Sequence, residues 1–263
     1  MTGLLGECMN PPDLRDLILA HMHLHAVLPR IVDLIRIDDE STRVAQEMDV
    51  SIAFAVRGGP YLVLKVSRGV AGVSTSGLAD VVLFFPSCRR LNRMFQGEKV
   101  NPIPLWGLHR FRDLKRFSSL SDRLTRHLKP SEQDLSDEAF RRRHVELSLL
   151  VGLAACGVIA KLDPRVQRVV KGLHAGIIQY SVLPNGPHAY VEVQHGTVSA
   201  FAGRVPAPSA TIELKDLKFA VKLIRGEVDP FAASGLGDIR LSGDLHLVDL
   251  FNNLFDRVGL YLK

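Results

Sequence analysis

Three serines, Ser118, Ser119 and Ser121, stand near His109 and His127 and near Asp113 and Asp122. These are the residue types of a serine nucleophile, its base and the acid that orients the base. What is missing is a Gly-x-Ser-x-Gly turn from strand to helix, the device that would expose a strained serine. The serines and histidines therefore read as solvated helix caps and surface residues. His21, His23 and His25 suggest a metal centre, but neighbours two apart on a helix point about 200° apart. Only His21 with His25 has the i, i+4 spacing of a helical ligand pair, and no third ligand lies nearby. Gly152, Gly157 and Gly235-Leu236-Gly237 lack the partners of a phosphate-cradling loop. The reading is a chain with no catalytic residues, no metal, no cofactor and no enzymatic activity.

What the chain does hold is a surplus of large apolar side chains in two stretches. One contains Phe219, Leu223, Phe231, Leu245, Leu250, Phe251, Leu254 and Phe255; the other Met94, Phe95, Ile103, Leu105, Trp106, Leu114, Phe117, Leu120 and Leu124. From the pattern alone these are core residues.

Charge is unevenly spread. Residues 1–129 carry 18 basic against 13 acidic side chains, and residues 130–263 carry 15 of each. The excess concentrates in Arg110, Arg112, Lys115, Arg116, Arg123, Arg126 and Lys129, with Arg89, Arg90 and Arg93 shortly before. An anionic partner follows, either a lipid headgroup surface or a nucleic acid. Nucleic acid is disfavoured, since only Phe111 and Phe117 interleave with these charges and every other recognition signature is missing. Cys8, Cys88 and Cys156 have no redox or metal spacing, and the N-terminus has no basic and apolar leader pattern. Free thiols and a cytoplasmic location are expected. The longest apolar run, Leu147 to Ala160, is fourteen residues and reads as a buried helix rather than a span.

The elements that would position these residues occur twice. Asp38 pairs with Asp163 and Arg43-Val44 with Arg168-Val169 at an offset of 125; Gly59-Pro60 pairs with Gly186-Pro187 and Gly69 with Gly196 at 127. Gly97-Glu98 pairs with Gly226-Glu227 at 129, and Asp113-Leu114 with Asp244-Leu245 at 131. Ordered matches with small drift imply a tandem duplication, with domains at 1–129 and 130–263. In each copy, helices precede three alternating strands (50–56, 61–66, 70–74; 177–183, 189–194, 197–201) joined by two tight turns. A fourth strand (80–85; 210–214) enters a helix (86–96; 215–225), and the second copy adds a strand at 238–241 and a helix at 245–254. The expected fold class is α+β, each half a roughly five-stranded antiparallel sheet covered by helices. The first copy departs after Gly97-Glu98, placing Pro104 and Trp106 where the second has Ser234 and Gly235.

The order in the second copy is strand, amphipathic helix, Gly226-Glu227-Val228-Asp229-Pro230, strand, Ser242-Gly243-Asp244, apolar helix. It resembles the C-terminal half of the sterol carrier protein type 2 (SCP-2) family, well over about residues 176–256 and more weakly over 48–128. The resemblance implies a non-catalytic fold that encloses a lipid in an apolar tunnel between sheet and helices. It would place ligand contacts at Phe95, Ile103, Trp106, Leu114 and Phe117 in the first copy. In the second they would be Phe219, Leu223, Phe231, Leu245, Leu250, Phe251 and Leu254. The implied partner is a sterol, fatty acyl chain, quinone or other lipid. Separately, the basic segment Arg89 to Lys129 leads us to expect peripheral contact with anionic membrane through Arg110, Arg112, Lys115, Arg116 and Arg123. SCP-2-like domains also occur in accessory factors, so the alternative is a scaffold with closed cores that binds a partner protein.

Overall fold

The computed structural model describes residues 11–172 and 174–262, without the side chains of Pro11, Pro12, Leu250 and Leu262; Cys8 lies outside the described residues. A helical arm opens the first half. Helix α1 (Pro11–Met22) passes through a π turn at His23–Val27 into α2 (Arg30–Ile37), followed by α3 (Asp39–Gln46). The π turn is closed by Leu28 N–H donating to the His23 carbonyl, just before Pro29, which has no amide hydrogen to continue the ladder. Strands β1 (Asp49–Val56), β2 (Tyr61–Ser67), β3 (Val70–Ser74) and β4 (Val81–Phe85) follow, then α4 (Cys88–Phe95), β5 (Ile103–Trp106) and α5 (Phe111–Leu128).

The second half repeats this plan. Its arm is one unbroken helix, α6 (Glu138–Leu162), followed by α7 (Pro164–Lys171), β6 (Gly176–Val182), β7 (His188–Gln194), β8 (Thr197–Ala202) and β9 (Ala210–Leu214). Then come α8 (Leu217–Ile224), a short α9 (Pro230–Gly235), β10 (Ile239–Gly243) and α10 (Leu245–Leu262). The arms are long and apolar enough to cross a membrane by length and composition, but most of each is buried inside the molecule.

The sheets have one topology, β3-β2-β1-β4-β5 and β8-β7-β6-β9-β10. They are mixed rather than antiparallel throughout, because β4 runs parallel to β1 and β9 parallel to β6. The hairpins were legible from their turns, whereas the crossover that returns the chain beside the first strand leaves no signal in alternation. Both second hairpins turn through two left-handed residues, Arg68-Gly69 (φ 47° and 88°) and His195-Gly196 (φ 48° and 76°), the geometry that matches strand twist. In both halves the fifth strand ends on a left-handed glycine, Gly107 or Gly243, where a Cβ would sit within 2.2–2.3 Å of the carbonyl of Asp80 or Ser209.

Those glycines correct the repeat alignment beyond residue 97. Gly107 corresponds to Gly243, and Trp106, opposite Val82, corresponds to Ser242, opposite Thr211. Ser234 and Gly235 belong to α9, and the shorter 97–103 segment of the first half makes no helix there. The pairing of Asp113-Leu114 with Asp244-Leu245 therefore fails, and α5 matches α10 at an offset of 134.

Candidate functional site

Each half buries an apolar layer between its sheet and its helices. In the second half Tyr180 and Ile212 of the sheet meet Cys156 of α6, Phe219 of α8, and Phe251 and Leu254 of α10 in one cluster. In the first half Phe54 and Leu83 meet Leu91 of α4 and Leu120 of α5, with Phe95, Leu114 and Phe117 packed at the edge. The aromatic contacts correspond: Phe54 to Phe117 is 5.5 Å between centroids, and Tyr180 to Phe251 is 6.3 Å.

Each closing helix is tied down by the same charged pair. Asp38 caps α3 by accepting from Ser41 N–H, and its Oδ2 also accepts from Arg123 Nη2 at 2.7 Å and Nε at 3.0 Å. Asp163 caps α7 by accepting from Arg165 N–H, and its Oδ2 accepts from Arg257 Nε and the Tyr261 hydroxyl, each at 2.8 Å. Arg123 and Arg257 are 134 residues apart, as the helices require. Burial pushes both carboxyls up, but the hydrogen bonds from Ser41 and Arg123, or from Arg257, the Arg165 amide and Tyr261, outweigh it and hold them below the usual range.

The residues expected to line a tunnel therefore divide. Phe219, Phe251 and Leu254 are buried, and Phe95, Leu114, Phe117 and Leu223 are half-buried. Ile103, Trp106, Phe231 and Leu245 are exposed. The Leu250 side chain lies outside the described residues. The inner members pack within the two buried apolar cores. Among the described residues a cleft of about 390 Å³ runs beside Arg141, Arg142, Pro184 and Lys218. A second, of about 300 Å³, lies between Glu40, Glu47 and Arg116.

The exposed members fall in two rims, the segments 103–111 and 231–245. The first gathers Leu105, Trp106, Leu108 and Phe111, each between 59% and 68% exposed. Around them Arg112 and Lys115 are exposed and form no ion pair among the described residues. Arg110 pairs with Asp113 and Asp80, and Arg116 with Glu47. Arg123 is withdrawn from the basic surface by its pairing with Asp38. The second rim has Phe231, 88% exposed, with Leu236 and Leu245. Its surroundings are acidic: residues 226–249 hold one basic against five acidic residues, whereas residues 97–115 hold four against two.

The histidine trio separates as well. His23 stacks on Phe95 at 4.5 Å and shares a hydrogen bond with the Asn92 side-chain oxygen, while His21 and His25 face each other at 5.2 Å. Among the described residues no three His, Cys, Asp or Glu side chains stand together as a metal centre would require.

Residues 158–256 match the family model of the SCP-2 sterol transfer family. No curated protein matches the chain. Among solved structures it is similar to the sterol carrier protein domain 2 of Helicoverpa armigera (16% identity, 42% of this chain and 87% of that one, TM-score 0.34). It is similar also to a UbiJ-SCP2 ubiquinone synthesis protein (14% identity, 41% and 88%, TM-score 0.33). A third is the sec-alkylsulfatase Pisa1 from Pseudomonas sp. (12% identity, 64% and 35%, TM-score 0.27). The family match spans the greater part of the second half, the part that holds the capping aspartate, the sheet and most of the closing helix.

Proposed function

We propose that the chain binds a hydrophobic small molecule of the lipid class in its second half and transfers it while the first half rests on an anionic membrane. No catalytic step is part of this reading, and the cytoplasm is the compartment it implies. The observation that carries it is the family match over the same residues that build the apolar layer under α8 and α10. The layer is closed, so a ligand enters by parting α10 from the sheet. Apolar burial, at roughly 25 cal/mol per Å² removed from water, would drive uptake.

Membrane docking is supported by the first rim, where Trp106 and Phe111 project beside the unpaired charges of Arg112 and Lys115. An amphipathic ring suits the headgroup level, and each basic residue near an anionic surface adds about 1 kcal/mol. The acidic second rim lacks that complementarity.

Two measurements test the proposal. Native mass spectrometry of the purified protein, with transfer between donor and acceptor vesicles, should reveal a bound lipid and its movement. Ligand-free protein without transfer would favour the scaffold reading, which the closed packing of both cores supports. Co-sedimentation with vesicles containing phosphatidylserine should fall some thirtyfold in affinity on neutralising Arg112 and Lys115 together, two contributions of about 1 kcal/mol each. Binding indifferent to phosphatidylserine and to salt would remove the membrane part.

A further inference from the structure

Tyr180 lies in the middle of β6, buried beneath the closing helix, with its ring 6.3 Å from Phe251 and 6.5 Å from Phe255. Its hydroxyl is inside the apolar layer and meets no hydrogen-bond partner among the described residues. A hydroxyl enclosed in this way has lost water and gained nothing, which is the unfavourable half of a hydrogen bond. Packing does not demand it. Strand pairing makes Phe54 the corresponding residue of the first half: Phe54 stands opposite Leu83 as Tyr180 stands opposite Ile212. Phe54 there meets Phe117 as Tyr180 meets Phe251. A phenyl ring thus fills the same place without an oxygen.

We propose that the Tyr180 hydroxyl is the polar anchor of the second half's ligand. It donates a hydrogen bond to an uncharged oxygen, an alcohol or a carbonyl, carried on an otherwise apolar skeleton. The first half, with Phe54, offers no such anchor. Burial beside the Cys156 thiol raises the phenol far above its usual range, so it stays protonated and acts as a donor. A carboxylate is a poor occupant, since its charge would be stripped of water within an apolar layer. This assignment rests on the lipid-binding reading and narrows it to lipids with a neutral oxygen at the buried end.

The test compares matched probes that differ only in the oxygen: 1-hexadecanol with hexadecane, and 5α-cholestan-3β-ol with 5α-cholestane, titrated into the delipidated 263-residue chain. The wild type should prefer the oxygenated member of each pair by about tenfold, the effect of one well-made hydrogen bond. Tyr180→Phe should bind both members alike while losing little affinity for the hydrocarbons. Ligand-free Tyr180→Phe should melt at or above the wild-type temperature, which separates lost recognition from lost folding. Phe54→Tyr, in the other half, should leave the second half's preference unchanged. A preference that survives in Tyr180→Phe overturns the anchor alone. A wild type that takes up none of the four probes overturns the lipid-binding reading and the anchor with it.

Discussion

The two halves share their sheet order, their left-handed hairpin turns, the glycine that ends the fifth strand, and the aspartate that both caps one helix and holds another. They part company in ionisable and exposed residues. Where the first half has His21, His23 and His127, the corresponding positions of the second are Glu146, Ser148 and Tyr261. Where the first presents Trp106 in a basic ring, the second presents Phe231 among aspartates. Residues that close the backbone and pin the helices are held in common, while those that meet solvent have diverged. Under the function proposed above, this difference would give docking to one half and cargo to the other.

The strongest way to break this comparison is to remove the shared clamp. Asp38→Ala and Asp163→Ala should each lower stability by about 2–4 kcal/mol, since each leaves a partly buried arginine without its partner and a helix without its cap. Denaturant titration followed by hydrogen exchange of β1 and β6 would show which half yields. A cost below about 0.5 kcal/mol at either position would mean that the clamps are not equivalent.

Acidification should separate the halves next. Burial lowers His21, His23 and His127 to about 4, against about 6.5 in the unfolded chain. Between those values the unfolded chain binds the extra proton, so stability is full above about pH 6.5 and declines as pH falls towards 4. The expected loss is on the order of 1–3 kcal/mol, weighted to the first half, while burial lowers His144 and His188 of the second half in the same direction. The fluorescence of Trp106, the sole tryptophan, should therefore change before the amide protection of β6 is lost. His127→Tyr, which copies the second half, should flatten the pH slope; an unchanged slope would show that burial of this ring is not the cause.

The smallest effect concerns the rims. Trp106→Ser and Phe231→Ser should each alter stability by less than about 0.5 kcal/mol, because both side chains stand mostly in water. Only Trp106→Ser should weaken vesicle binding. Equal loss from both would erase the distinction between the rims.

Much of the fold was legible because its determinants are local. Glycines with required left-handed backbone, alternating strands and capping aspartates announce themselves within a few residues. Asp38 and Asp163 were visible as a repeat landmark, yet their partners Arg123 and Arg257 lie 85 and 94 residues away. Insertions around β5 and α9 had shifted the register before α5 and α10 were reached, so a pairing at 131 looked sound where 134 holds. For the same reason Arg123 read as surface charge. The apolar residues of the candidate site could be found by type, but pattern does not tell an inner Phe251 from an outer Phe231; only the packing of α10 and α9 separates them. Tyr180 gave no signal of its own, since a tyrosine in a strand is ordinary until its hydroxyl is seen without a partner.

The π turn beside Pro29 interrupts one arm, while its counterpart α6 runs straight through. In a dimer of identical chains a proline at that position would appear twice, and any alteration that suited one subunit would be imposed on the other. Joining the copies in one polypeptide lifts that constraint. A break can be placed in a single arm, and the pair can evolve as two specialists under one gene, without the problem of choosing the right mate during assembly.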